Sequence, residues 1–171
     1  VMTPSGRGVL SANTNLVKVA EFKSYKDLLN PKWKGKIVID DPRRAGPGQG
    51  AFTFFYLHPE LGIEFVRALG RQEPLILRDY LQQVDFVAHG RYPLLIGPDV
   101  PVETRMKQGA SITVVDPRQL REGQDLSPKN GNVALYRNAP HPNATKIYLN
   151  WLLSQEGQTI FAQNMGYVSA R

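Results

Sequence analysis

Between Asp40 and Ala51 the chain reads Asp-Asp-Pro-Arg-Arg-Ala-Gly-Pro-Gly-Gln-Gly-Ala, which places two carboxylates, two guanidiniums and three glycines within twelve residues. Arg43 and Arg44 have the planar donor geometry that matches phosphate or carboxylate, so they either clamp such an anion or stand as solvated loop side chains. The apolar, aromatic run Phe52-Thr-Phe-Phe-Tyr-Leu57 that follows reads as a helix, which puts Gln49, Gly50 and Ala51 at its start. A helix start presents free N–H groups and a partial positive charge, suited to a phosphate, sulfate or carboxylate. Gly46, Gly48 and Gly50 either admit a ligand close to the backbone or simply turn the chain. The spacing is not G-x-G-x-x-G and no Gly-Lys-Ser/Thr follows, so no nucleotide-binding fingerprint is present. Asp40 and Asp41 have the chemistry for acid–base work or magnesium binding. The expectation is that one caps the following loop and the other faces solvent.

A catalytic reading finds less support. The three histidines, His58, His89 and His141, form no recognisable constellation. Two lie beside prolines, and none has metalloprotease or closed zinc-site spacing. Surface or capping roles are expected for all three, and no G-x-S-x-G elbow occurs.

The elements that must position these residues follow from periodicity. Ser24 with Asp27 three residues on has capping-box spacing, predicting a short helix over Tyr25–Asn30 that Pro31 ends. Ile37-Val-Ile39 is a compact apolar run of the kind found in strands buried on both faces. Leu61, Phe65, Val66 and Leu69 mark one helix face. Pro74 to Leu77 reads as a strand, Asp79 to Ala88 as a helix with Leu81, Val84 and Ala88 inward, and Leu94-Leu-Ile96 as a buried strand. Gly97 to Pro101 reads as a turn into a helix through about Gln108, and Ile112 to Val115 as another strand. Alternating strands and helices predict a largely parallel α/β sheet. The stretch 116–131 lacks periodicity and reads as a long functional or interdomain loop. Asn132 to Tyr136 reads as a strand. Ala144, Ile147, Tyr148, Trp151 and Leu152 share one helical face, and Ser154 is placed to cap a second helix from Gln155 to about Asn164.

Composition bounds the classes. With 171 residues, 42% hydrophobic and 21% charged, the chain can bury one moderate core. Its 21 Lys and Arg against 15 Asp and Glu give a formal charge of +6, which favours anionic partners. The basic residues are scattered and carry no nucleic-acid motif, so a generally basic surface is the larger expectation. The absence of cysteine excludes disulfides and thiolate metal sites. No apolar run reaches the roughly 20 residues that span a bilayer. The chain begins with Val1, from which removal of an upstream portion is expected.

Two segments resemble the extracellular solute-binding proteins of ABC transporters, in the iron(III), thiamine, phosphonate and polyamine-related group. One is Ser24 to Ile37 followed by Asp41-Pro42, similar to that group's helix-to-strand signature. The other is Ala139-Pro-His-Pro-Asn-Ala-Thr-Lys146 with Trp151-Leu-Leu-Ser-Gln-Glu-Gly-Gln158, similar to its C-terminal two-helix signature. Between them, Val87 to Gly97 resembles the helix and strand that precede a ligand-contacting segment.

The resemblance implies an α/β, periplasmic-binding-protein-like (type II) lobe with a largely parallel sheet flanked by helices, plus C-terminal helices from the other lobe. It divides the chain into a crossover segment over 1–22, a second lobe over 23–115, a loop and return crossing over 116–136, and helices over 137–171 that would pack on a first lobe mostly absent from this chain. It implies a substrate-binding component of an ABC importer, periplasmic or extracellular and lipid-anchored at full length, that captures a small anionic or anion-assisted solute (an iron(III)–anion, phosphonate or phosphate ester, thiamine-like or polyamine ligand) between two lobes and meets a membrane permease. Arg43 and Arg44 are candidate binding residues by their chemistry, and the resemblance adds Gln49, Gly50, Ala51, Arg78, Asp79, Asp99, Asn130 and Asn132. Iron-binding members carry two adjacent tyrosines where this chain has Pro98-Asp-Val-Pro-Val102, which argues against tyrosinate iron ligation. No cofactor, no catalytic residue and no nucleic-acid partner are expected. The apolar face from Ala144 to Leu152 is expected to drive self-association. A small-molecule enzyme on the same fold, revealed by turnover of phosphoesters, and a basic nucleic-acid module, revealed by steep salt dependence, are the alternatives.

Overall fold

A computed structural model describes residues 9–124 and 134–165. These fall into two compact units, one holding 9–124 and the other 134–165.

The larger unit is built on a mixed five-stranded sheet: β1 (Leu10–Asn13), β2 (Ile37–Asp40), β3 (Leu75–Leu77), β4 (Leu94–Ile96) and β5 (Ile112–Val114), in the order β3-β2-β4-β1-β5. β2 runs parallel to both neighbours, with Ile39 opposite Ile76 and Val38 opposite Leu95. β1, expected as a crossing segment, lies antiparallel between β4 and β5. The other four strands share one direction.

Side chains alternate across a strand, so both sheet faces are used. Ile37, Ile39, Leu94 and Ile96 join Tyr25, Phe55, Phe65 and Leu69 in one core, beneath helices α1 (Pro47–Leu57) and α2 (Gly62–Gly70). Val38, Leu95 and Ile112 join Val84, Val87 and Val102 in a second core, beneath α3 (Tyr80–Ala88) and α4 (Val100–Lys107). This two-sided burial is why Ile37-Val-Ile39 is apolar without alternation. Each fully buried aliphatic or aromatic side chain contributes roughly 1.5–3 kcal/mol.

Local signals explain the remaining elements and three departures. The capping box at Ser24 and Asp27 is formed, but the segment it starts is a 3-10 turn over Tyr25–Leu29, followed by a second at Pro31–Trp33. Leu81 is 62% exposed rather than inward; α3 is rotated so that Gln83, Val84 and Val87 face the sheet. The rotation follows from Gln83, whose amide reaches Asp40. The stretch after Asp116 is packed as far as 124: Pro117–Gln119 forms a 3-10 turn, Leu120 is buried, and buried Glu122 accepts the Tyr25 amide at 3.0 Å and the Ser24 hydroxyl. Composition alone hides this, because Glu122 is satisfied by residues almost a hundred positions earlier.

The smaller unit contains α5 (Pro142–Leu152) and α6 (Gln155–Met165). Ser154 begins α6 as expected, its hydroxyl accepting the Gly157 amide at 3.1 Å. Of the strand expected over 132–136, residues 132 and 133 lie outside the described residues, and 134–136 form no strand. Ile147, Tyr148 and Trp151 are exposed along α5.

Candidate functional site

β2, β3 and β4 are mutually parallel, so Asp40, Leu77 and Ile96 all end at one edge of the sheet. From β2 the chain passes to α1 on one face and then to β3 on one flank; from β3 it passes through α3 on the other face to β4 on the opposite flank. The carboxyl edge at such a reversal forms a crevice where ligands bind in open α/β sheets. Three loops meet there: 41–46, 78–79 and 97–99.

Asp40 ties this edge together. It is buried, with Oδ2 accepting the Gly48 amide at 2.8 Å and Oδ1 accepting the Gln83 Nε2 amide at 3.0 Å. The carboxylate therefore occupies the start of α1 and locks α3 to the same strand end. Gly48 is required here: a Cβ would stand 2.3 Å from the Asp40 carbonyl oxygen, which is fixed in the sheet. The second Gln83 amide atom, Oε1, is a buried acceptor with no donor among the described residues.

Asp41, expected with Asp40 to leave one carboxylate in solvent, is 0% exposed. Its Oδ1 accepts the Arg43 amide at 3.1 Å and Arg43 Nε at 2.8 Å; its Oδ2 accepts Arg43 Nη2 at 2.9 Å and Arg78 Nε at 2.9 Å. The hydrogen bonds from the Arg43 side chain are the largest cause holding the Asp41 carboxyl well below the usual carboxylate range, with Arg78 adding to it against the opposing effect of burial. The same pairing raises Arg43 above its ordinary value. Yet the two arginine side chains remain 72% and 65% exposed. Arg44 Nη1 reaches the Arg78 carbonyl at 3.4 Å. The structure thus brings Arg43, Arg44 and Arg78 together above one buried carboxylate.

The other expected site residues sort differently. Asp79 caps α3 by accepting the Gln82 amide at 2.9 Å, and Asp99 caps α4 by accepting the Val100 amide at 2.8 Å. Gln49 is exposed in the first turn of α1, which begins at Pro47 rather than at Gln49. The expectation of free amides over Gln49–Ala51 is corrected in part. Gly50 donates to the Gly46 carbonyl at 3.0 Å, Ala51 is fully buried inside the helix, and the donor that would have been free at Gly48 is taken by Asp40. Asn130 and Asn132 lie outside the described residues.

Sequence reasoning missed Gln83 and also Tyr80, whose hydroxyl stands 2.7 Å from where a Cβ on Gly46 would lie. It expected one of Asp40 and Asp41 to cap the loop and the other to face solvent; Asp41 makes the cap, but both are buried. The signal available for Asp41 was the Asp-Pro-Arg spacing, because an aspartate bonding the amide two residues on makes an Asx-turn. His58 and His89 sit at the far ends of α1 and α3, about 16 Å along an 11-residue helix in the case of His58. Among the described residues no group of three or more His, Cys, Asp or Glu is placed to hold a metal ion. Cavities lie elsewhere, among them one of about 500 Å³ beside Phe22 and Trp33 and one of about 400 Å³ between Leu81 and Val100.

A sequence profile described as bacterial extracellular solute-binding protein matches residues 2–167. The chain belongs to that family. This solute-binding protein is 28% identical over 163 residues to an uncharacterized protein of Haemophilus influenzae, covering 90% of the chain but 45% of the relative. Its fold resembles that of a two-component system protein that mediates signal transduction, with a TM-score of 0.72 at 20% identity over 100% of this chain and 56% of that one. It also resembles the periplasmic binding protein AfuA from Actinobacillus pleuropneumoniae, solved with exogenous fructose-6-phosphate bound, with a TM-score of 0.67 at 22% identity over 98% of this chain and 53% of AfuA. These likenesses show the fold, that of a type II periplasmic binding protein. The solute-binding protein spans about half the length of the proteins it matches.

Proposed function

We propose that this chain supplies one lobe of a receptor that captures a small anionic solute on the sheet edge and delivers it to the membrane permease of an ABC importer. The observation that carries this reading is the group of exposed Arg43, Arg44 and Arg78 at the carboxyl ends of β2 and β3. Guanidiniums so placed favour phosphate esters, phosphonates or an iron(III)–anion complex over thiamine-like or polyamine cations. The fructose-6-phosphate in AfuA is a ligand of the favoured charge.

The reading is of binding rather than catalysis, in the periplasm or outside the cell. Closure of a second lobe over the edge would trap the solute, because a ligand that contacts both lobes favours the closed population. The division into a lobe over 23–115 with crossings on either side is part of the same proposal. So is self-association through the exposed face of α5. Mass spectrometry of small molecules that co-purify with the protein at its native length tests the function. A small anion lost on substituting Arg43 and Arg78 supports it; a bound cation, or a solute retained unchanged, opposes it.

A further inference from the structure

Arg43 and Arg78 come from different loops, 41–46 and 78–79, and meet on one carboxylate. Arg43 uses Nε and Nη2 on Asp41, and Arg78 uses Nε. Arg43 Nη1 and the terminal nitrogens of Arg78 take no part in these bonds, and both side chains are mostly exposed. Each guanidinium is thus gripped by an inner edge while its outer donors stay open. A carboxylate ligand offers only two oxygens, both in one plane. A phosphate ester or sulfate group offers three or more oxygens and can take both guanidiniums at once.

We propose that Asp41 is a positioning residue that holds Arg43 and Arg78 as a two-sided clamp for a tetrahedral oxyanion group of the solute. This rests on the proposed solute-binding edge and deepens it. The wholly buried site of Asp41 supports the role, since a carboxylate there cannot reach solvent and its bonds to the two arginines fix their direction. Neighbouring Asp40 is spent on Gly48 and Gln83, and exposed Asp79 caps α3, so neither replaces Asp41 beneath the arginines.

Substitution of Asp41 by Asn gives opposite signs for two explanations. Were Asp41 only a negative charge near an anion, removing it would tighten anion binding. Positioning predicts the reverse. Calorimetric titration of the chain with sodium sulfate and with inorganic phosphate, against acetate, is expected to show binding of the first two that weakens about tenfold in Asp41→Asn. In parallel, the Nε–H resonances of Arg43 and Arg78 shift with sulfate in the unsubstituted chain and lose their dispersion in the variant. Tighter sulfate binding in Asp41→Asn, or arginine resonances that ignore sulfate, overturns the proposal. If Asp41→Asn fails to fold, Arg78→Lys, an exposed substitution that keeps the charge and removes the fork, is expected to weaken sulfate by a similar factor. Unchanged sulfate affinity in that variant counts equally against the clamp. A native solute that still depends on this edge, in a protein indifferent to sulfate, would sink the clamp and leave the solute-binding function standing.

Discussion

The Asp40 side chain accepts the Gly48 amide at 2.8 Å while the Asp40 carbonyl oxygen lies where a Gly48 Cβ would have to be. Strand end and helix start are therefore in direct backbone contact. Gly48→Ala is expected to cost about 1–3 kcal/mol, because neither backbone can yield. Gly50→Ala, two residues on with nothing within 4 Å of its Cβ, is expected to gain about 0.5–1 kcal/mol. Urea denaturation of the two variants side by side checks both signs.

Asp41 makes stability depend on acid. Its folded pKa is depressed, so its contribution is complete above the unfolded carboxylate value of about 4 and is lost as pH falls through the folded value. Denaturation midpoints are expected to fall more steeply below pH 4 in the unsubstituted chain than in Asp41→Asn. Parallel curves for the two would contradict the pairing.

Tyr25 acts at the other end of the scale. Burial first, and then the nearby Glu122 charge, push its hydroxyl well above the usual tyrosine value. With the folded pKa raised, this contribution is complete below the unfolded value of about 10 and is lost as pH rises through the folded one. Tyr25→Phe is expected to flatten the decline in stability above pH 10, measured by denaturant titration at successive pH values.

The face of α5 that carries Ile147, Tyr148 and Trp151 is expected to make this chain associate with itself. Ile147→Glu together with Trp151→Ser should lower the mass measured by light scattering. A monodisperse monomer before substitution would remove the idea.

Much of the fold could be read from local pattern. Ile37-Val-Ile39 announces a strand covered on both faces, Ser24 with Asp27 forms its capping box, and Leu61, Phe65 and Leu69 mark the buried face of α2. What was hidden depends on distant partners. Gln83 turns inward instead of Leu81 because Asp40, 43 residues earlier, accepts its amide. Asp41 is buried because Arg78, 37 residues later, joins Arg43 on it. The polar stretch around Glu122 packs because Tyr25, 97 residues earlier, donates its amide. Site residues were visible as types, but their division into structural caps and open donors was not. Asp79 and Asp99 close helices, whereas Arg43 and Arg78 keep donors exposed.

Backbone amide shifts on adding the co-purified solute to the isotopically labelled protein locate the ligand most directly. The solute-binding account predicts that the shifted residues cluster within 41–50, 77–80 and 97–100. Shifts centred on the cavity beside Phe22 and Trp33, with those three loops unmoved, would contradict it.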